Sequence, residues 1–453
     1  MKRTLLTAVA VTAAGALALT GCAPGADTPV ETSDRTTGSG SGDEVAGEIQ
    51  FLFWNWGPDA EPGWQSIVDE FESEHDGVEV KLTPVAGDSW GSYLANAATM
   101  IAGGAQPDLI YTATEGVKFL ILNDMIRPID DLIEGDEEAE ALIADMAPNL
   151  VDGLRADGDL YALPYGWNNM VIYYNTDRFE EAGLEAPSED WTIDEFVETA
   201  KALTEDTDGD GRPDRYGYAW TANELFPGIM PWVLNFGGAL TTEDLCEATV
   251  DSPEVVEAVE FLRDLIHEEQ VAAAPAPLSE IFPQFQNGNI AMFGAGRWPL
   301  ATLVPAGFEA FDVQLYPVGA EQITEFGVGG FPILKSAKNP DLAWEFAKFT
   351  SSPHGPQTQR RAVGTADAPS ADIPALRSVA DEIVEAGIPP ANSAIFYGSL
   401  DDHDASLVPA PAAFSEFEST LMRHLGLIMS GETSAQDGLA RAQGELESIV
   451  TCN

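Results

Sequence analysis

From Glu48 onward the apolar positions of the chain switch between two periods. Ile49 to Phe53 reads as a short buried strand, after which Trp64, Ile67, Val68 and Phe71 recur at helical spacing. Val78, Val80 and Leu82 alternate with Glu79 and Lys81 as a second strand, and Tyr93, Leu94, Ala97 and Ile101 mark a second helix. Leu109-Ile110-Tyr111 makes a third strand after the turn at Gln106-Pro107-Asp108. Right-handed crossovers turn this order into a parallel sheet flanked by helices. The same grammar returns later, with strands expected at Val171 to Tyr174, Tyr216 to Trp220 and Ile290 to Phe293. Thr192 and Glu195 read as a capping box opening a helix through Phe196, Ala200 and Leu203. Ser252-Pro253 and Asn339-Pro340 start two more helices, and two amphipathic helices follow Ala412.

The first 47 residues follow neither period. Met1-Lys2-Arg3 and the apolar run Leu5 to Leu19, too short to span a bilayer comfortably, form an export signal over residues 1–21. Its end, Leu19-Thr20-Gly21-Cys22, resembles the lipobox of bacterial lipoproteins, which implies lipid on Cys22 and a place on the outer face of the cell membrane, extracellular or periplasmic. Residues 22–47 are rich in Gly, Ser, Thr, Pro and Asp and cannot bury enough apolar surface to offset ordering, so they are expected to be a flexible tether. Roughly 400 residues remain, more than one hydrophobic core usually organises, and two lobes are expected.

Charge then narrows the partners. With 75 acidic against 21 basic residues the formal net charge is −54, spread along the chain, which argues against nucleic acid and for a solvated acidic surface. With Cys22 taken by lipid, Cys246 and Cys452 are an even pair in an oxidising compartment, and a bridge between them is expected.

Open parallel sheets bind ligands beyond the carboxyl ends of their strands. That rule selects Trp54-Asn55-Trp56 after the first strand, Asp88 and Trp90 after the second, and Thr114 and Glu115 after the third. Later it selects Trp220, and Arg297 and Trp298 beyond Phe293. Indoles beside carboxylates and amides suit a polyol, whose C–H face stacks on the ring while its hydroxyls use the acceptors and donors. Trp344, in mid-helix, reads as core.

Leu163-Pro164-Tyr165-Gly166-Trp167 leading to Ile172-Tyr173-Tyr174-Asn175 resembles the first crossover of extracellular solute-binding proteins of the maltose-binding type. Phe285 to Met292 resembles the "F-x-x-G-x-x-A-M" segment of that family, and Gly329-Gly330-Phe331 with the helix from Asn339 looks like its third crossover and the helix beyond. The resemblance implies an α/β, two-lobed periplasmic-binding-protein fold with three crossovers, each lobe a mostly parallel sheet flanked by helices. It implies a monomer that takes a carbohydrate, an oligosaccharide, to the permease of an ABC importer, and no enzyme. Lobe 1 would be residues 48–166 and 294–331, lobe 2 residues 167–293 and 332–453. Tyr165, Trp167, Trp220, Trp232, Trp298 and Gly330 would then supply hinge and opposing wall, and Arg297 would pair with an acidic sugar or neutralise Asp88 or Glu115.

Asp206, Asp208, Asp210, Arg212 and Asp214 stand at alternating positions of a loop that matches the first part of a calcium-binding EF-hand, with Gly217 where the bidentate Glu would be. A weak structural calcium and a plain acidic turn are both open; no cofactor is otherwise called for. The rival functions are an extracytoplasmic carbohydrate-active enzyme and a binder of a glycerol phosphate ester or compatible solute. No nucleophile elbow, zinc helix or phosphate loop stands in the sequence.

Overall fold

The computed structural model describes residues 46–57, 60–355, 371–385, 389–402 and 404–452. The export signal, Cys22 and nearly all of the tether lie outside the described residues.

Three strands, β1 (Gly47–Asn55), β2 (Val78–Ala86) and β3 (Leu109–Ile110), form a wholly parallel first sheet in the order β2-β1-β3. The Ala60–Glu74 helix between β1 and β2 buries the Trp64, Ile67, Val68 and Phe71 stripe. Phe51 of β1 meets Trp64 at 5.2 Å and, at 5.6 Å, Phe346 of the Pro340–Ser351 helix. That helix was expected in the second lobe, within 332–453. Its apolar stripe instead completes the packing on Phe51 and Phe71 of the first half.

Beyond β4 (Thr112–Ala113), a small antiparallel pair of β5 (Arg155–Ala156) and β6 (Asp159–Leu160) leads to β7 (Pro164–Asn169). The second sheet takes β8 (Val171–Asn175), β9 (Tyr216–Ala219), β10 (Ile290–Ala295) and β11 (Phe311–Gln314) in the order β11-β8-β10-β9. Only β9 and β10 run parallel; β8 is antiparallel to both β10 and β11. The expectation of a mostly parallel sheet therefore fails here. Met170 alone separates β7 from β8, so β8 enters the second sheet straight from the seam and runs against β10 and β11.

The pairing of β11 with β8, Phe311 opposite Asn175, also corrects the boundary expected at residue 294, which falls inside β10. The chain leaves the second sheet only after Gln314, and the last strands, β12 (Ile323–Gly330), β13 (Ile373–Pro374) and β14 (Asp404–Leu407), follow. A third, mixed sheet runs β13-β7-β12-β14, with β4 also on β12. It is the seam of the molecule, since β4 directly continues the first sheet's β3 and β7 feeds the second sheet's β8.

The described residues belong to one compact unit. The C-terminal helices Phe414–Met429 and Ala435–Leu446 belong to it; the Gln443 amide donates to the Ala248 carbonyl at 2.8 Å and accepts from the Val250 N–H. Among the described residues no helix is long and apolar enough to cross a membrane.

Candidate functional site

At the carboxyl end of the first sheet the loops build an aromatic wall. Trp54 closes β1; its indole N–H donates to the Gly87 carbonyl at 2.9 Å, which fixes the ring against the end of β2. The Trp54 ring lies 4.8 Å from Trp90 and stacks on Tyr93 at 5.9 Å. Trp90 in turn sits 5.6 Å from Tyr111, which packs on Phe331 and, edge-on, on Tyr165. Trp54 and Trp90 are half-buried, so each keeps part of its surface free. Trp56, 44% exposed, stands further out at 6.4 Å from Trp64, and Asn55 beside it is half-buried.

Carboxylates gather against this wall. Ser89 caps the Trp90–Ala102 helix through a capping box with Ser92, and its hydroxyl also donates to Glu418 Oε2 at 2.8 Å. The Gly91 N–H donates to the same oxygen, so the helix N-terminus grips a side chain from the Phe414–Met429 helix. Burial nevertheless pushes Glu418 up to about 7, the Asp88 charge adding to it. Glu115, in the first turn of the Thr114–Leu122 helix, is raised to about 7 by burial and by Glu418. Glu224, in the loop after β9, is raised to about 8 by burial and by Glu418, Glu115 and Asp88 together. Glu325 of β12 is held far above the ordinary range by burial, with Glu115 as its charged neighbour. The two sheets meet here, because the Asn223 amide donates to the Asp88 carbonyl at 2.7 Å across the gap. Asp88 itself is exposed and accepts from the Ser92 hydroxyl at 2.7 Å.

Beside Tyr111 and Tyr165 the seam also holds a buried cation. Buried Arg297 donates its backbone N–H to Asn168 Oδ1 at 2.8 Å and its guanidinium Nη1 to the Asp372 carbonyl at 3.3 Å. The Asn168 amide donates to the Asp372 carboxylate, which burial raises to about 6 against the opposing pull of Asn168 and Arg297. The carboxylate beside Arg297 is thus Asp372, not Asp88 or Glu115 as the sequence suggested. Half-buried Trp298 follows, 6.5 Å from Phe226.

Several expected wall residues belong to the core instead. Trp232 is fully buried, its indole donating to the Tyr218 hydroxyl at 3.0 Å among Phe196, Phe261 and Tyr316. Trp220, 1% exposed, stacks on Tyr218. The expectation overlooked that the second sheet packs its own helices through these rings. Trp167 is buried in β7 opposite Val328 and Ile373. Thr114 accepts from the Val328 N–H at 3.2 Å, a strand-to-helix tie. Gly330 serves the seam: a Cβ there would lie 2.7 Å from the Leu163 carbonyl oxygen, so the backbones could not cross so closely. Tyr165 does line the wall, packing on Trp64 and Phe331.

Glu418, Glu224, Asp372 and Asn168 escaped the sequence reading. Glu418 left a trace: it falls with Phe414, Phe417, Leu421 and Leu425 on the buried face of an amphipathic helix, where a carboxylate needs a reason.

Two other expected sites lie apart. Cys246 and Cys452 are joined, Cα atoms 4.8 Å apart. In the acidic loop, carboxylate oxygens of Asp206, Asp208 and Asp210 come within 4.8 Å of one another, all exposed. Each already accepts a loop N–H: Asp206 from Gly209 and Gly211, Asp208 from Asp210, Asp210 from Arg212. Asp214 turns to Thr207, whose hydroxyl donates at 2.6 Å, and so is engaged away from the other three.

Residues 57–355 match the model of the bacterial extracellular solute-binding protein family, and the chain belongs to that family. A probable ABC transporter-binding protein of Deinococcus radiodurans is 25% identical over 325 residues, covering 67% of this chain and 72% of the relative. The arabinooligosaccharide-binding protein of Halalkalibacterium halodurans is 22% identical over 262 residues, covering 57% of this chain and 56% of the relative. Among solved structures, an ABC substrate-binding protein from Listeria monocytogenes in complex with cycloalternan superimposes with a TM-score of 0.77 at 23% identity, covering 89% of this chain and 99% of that one. The fold is therefore the α/β fold of the solute-binding proteins.

Proposed function

We propose that this solute-binding protein captures a carbohydrate, an oligosaccharide, between its first and second sheets and hands it to the permease of an ABC importer. The observation that carries the reading is the aromatic wall of Trp54, Trp90, Tyr111 and Tyr165 set beside the Glu115, Glu224 and Glu418 carboxyls where the two sheets meet. Rings stack on the apolar face of a sugar, and carboxyls and amides take its hydroxyls. The sugars named for the Listeria and Halalkalibacterium relatives support the same class. Trp54, Asn55, Trp56, Asp88, Trp90 and Glu115 would contact ligand from the first lobe, and Tyr165, Arg297 and Trp298 from the seam. The first lobe is centred on the β2-β1-β3 sheet and includes the Pro340–Ser351 helix; the second is centred on β11-β8-β10-β9. Ligand bridging the two shifts the population toward the closed form. Lipid on Cys22 would hold the protein at the membrane, monomeric and beside its permease.

The test is tryptophan fluorescence of the purified protein titrated with neutral, acidic and amino oligosaccharides and with glycerol phosphate esters. A saturable change with one glycan class, the glycan recovered intact, is expected. A response only to a non-sugar solute, or release of cleaved glycan, overturns the reading. A weak calcium at Asp206, Asp208 and Asp210 belongs to the same proposal: added calcium should raise the melting temperature, and an unchanged melt would leave the loop as an acidic turn.

A further inference from the structure

The carboxyls at the wall are buried, carry unpartnered oxygens and face one another's charge. Glu115, 2% exposed, has an Oε2 atom with no hydrogen-bond partner, and Glu325, 1% exposed, has none on either oxygen. Glu418 accepts from Ser89 and Gly91 at Oε2, and the Leu225 N–H also donates to its carboxylate, which ties it to the loop that carries Glu224. Glu224 adds a fourth carboxyl from the loop after β9, and Asp88 a fifth at the rim. Among the described residues, the groups of three whose ligand atoms lie within 4.8 Å of one another are elsewhere, so no three of these carboxyls meet around one ion.

Neutral hydroxyls can donate to one or two carboxylates, but they leave the mutual repulsion of the rest in place. In a site of low dielectric that repulsion is removed either by protons or by a positive charge. Burial and mutual charge push Glu115, Glu224 and Glu418 up, so that protons relieve part of this repulsion near neutral pH and leave the rest for a positive charge. Arg297, the buried cation beside Tyr111 and Tyr165, interacts with Asp372 and Asn168. The wall itself suits a cation, since Trp90 sits between Ser89 and Gly91, the two residues that hold Glu418, and packs on Tyr111 beside Glu115.

We infer that the carbohydrate carries a protonated amine, and that Glu115, Glu224 and Glu418 form the pocket that receives it while its ring stacks on Trp90. This rests on the carbohydrate reading and narrows it to an amino sugar.

Three ligands of equal length separate the possibilities in titration calorimetry at about pH 7: a free-amine glucosamine oligomer, its N-acetylated form, and a neutral glucose oligomer, with putrescine as a bare diamine. The free-amine oligomer is expected to bind at least tenfold more tightly than the N-acetylated one. Glu115→Gln should shrink that ratio severalfold, and Glu224→Gln, at a half-buried position, should do the same if the first variant does not fold. Equal binding of the free and acetylated forms, or preference for the neutral oligomer, overturns the inference and leaves the carbohydrate reading standing. Binding of putrescine with no response to any oligosaccharide overturns both.

Discussion

Glu115 shows how much a single side chain can carry. Its carboxyl lies at a helix N-terminus, which favours charge, yet burial and the facing Glu418 outweigh that and raise it to about 7, and Glu115 in turn pushes up Glu224, Glu325 and Tyr111. The unfolded chain releases this proton near the ordinary value of 4.5, while the folded chain keeps it to about 7. The stabilising contribution is therefore complete below about 4.5 and is lost as pH rises through about 7 and, for Glu224, about 8. Thermal melts of the ligand-free protein should fall between about pH 5 and pH 8, Glu115 alone accounting for about 3 kcal/mol, and Glu115→Gln should flatten the profile. Trp90→Ala should weaken ligand binding about tenfold with little change in the melt, because the ring is half-buried and contributes mainly its stacking face; calorimetry and a melting curve read the two effects separately.

Among the elements, the Phe414–Met429 helix is the strap that matters. Its N-terminal half is held at the first sheet through Glu418, Ser89 and Gly91, and the following helix is fastened to the second half through Gln443. The loop after β9 reaches back with Asn223 to Asp88. Asn223→Ala should remove a contact that exists only when the sheets approach, costing about 1 kcal/mol of closure and about fivefold in ligand affinity, with a larger radius of gyration in X-ray scattering without ligand. Helices and strands with a clear period were readable at this scale. The Ala60–Glu74 helix buries the four residues its spacing picked out, and the Thr192–Glu195 capping box forms. Strand direction was not readable: β8 has the same Val-Ile-Tyr-Tyr pattern whether its neighbours run with it or against it.

For the molecule as a whole, charge and covalent closure set the conditions of stability. A net charge of −54 makes the compact state repel itself, so added salt should raise the melting temperature over the range where the Debye length shortens. The Cys246–Cys452 link closes a sequence separation of 206 and pins the C-terminus to the loop before the Pro253–His267 helix. Cys246→Ser should lower the melting temperature by several degrees; the chain-entropy estimate for such a loop is on the order of 5 kcal/mol at most.

Properties that depend on near neighbours in the chain were legible from residue order alone: the period of each element, the caps, the turns, and the loops at strand ends that carry Trp54, Trp90 and Glu115. Contacts between residues far apart were not. Glu418 meets Ser89 from 329 residues away, Arg297 finds Asp372 instead of Asp88, and Trp232 turns inward to Tyr218. An indole or a carboxylate looks the same in sequence whether it faces a cleft or a core. Which it does is decided by the partner that long-range packing brings to it, and here that packing assembles the carboxyls at the seam and keeps three of the expected tryptophans, Trp167, Trp220 and Trp232, for the core.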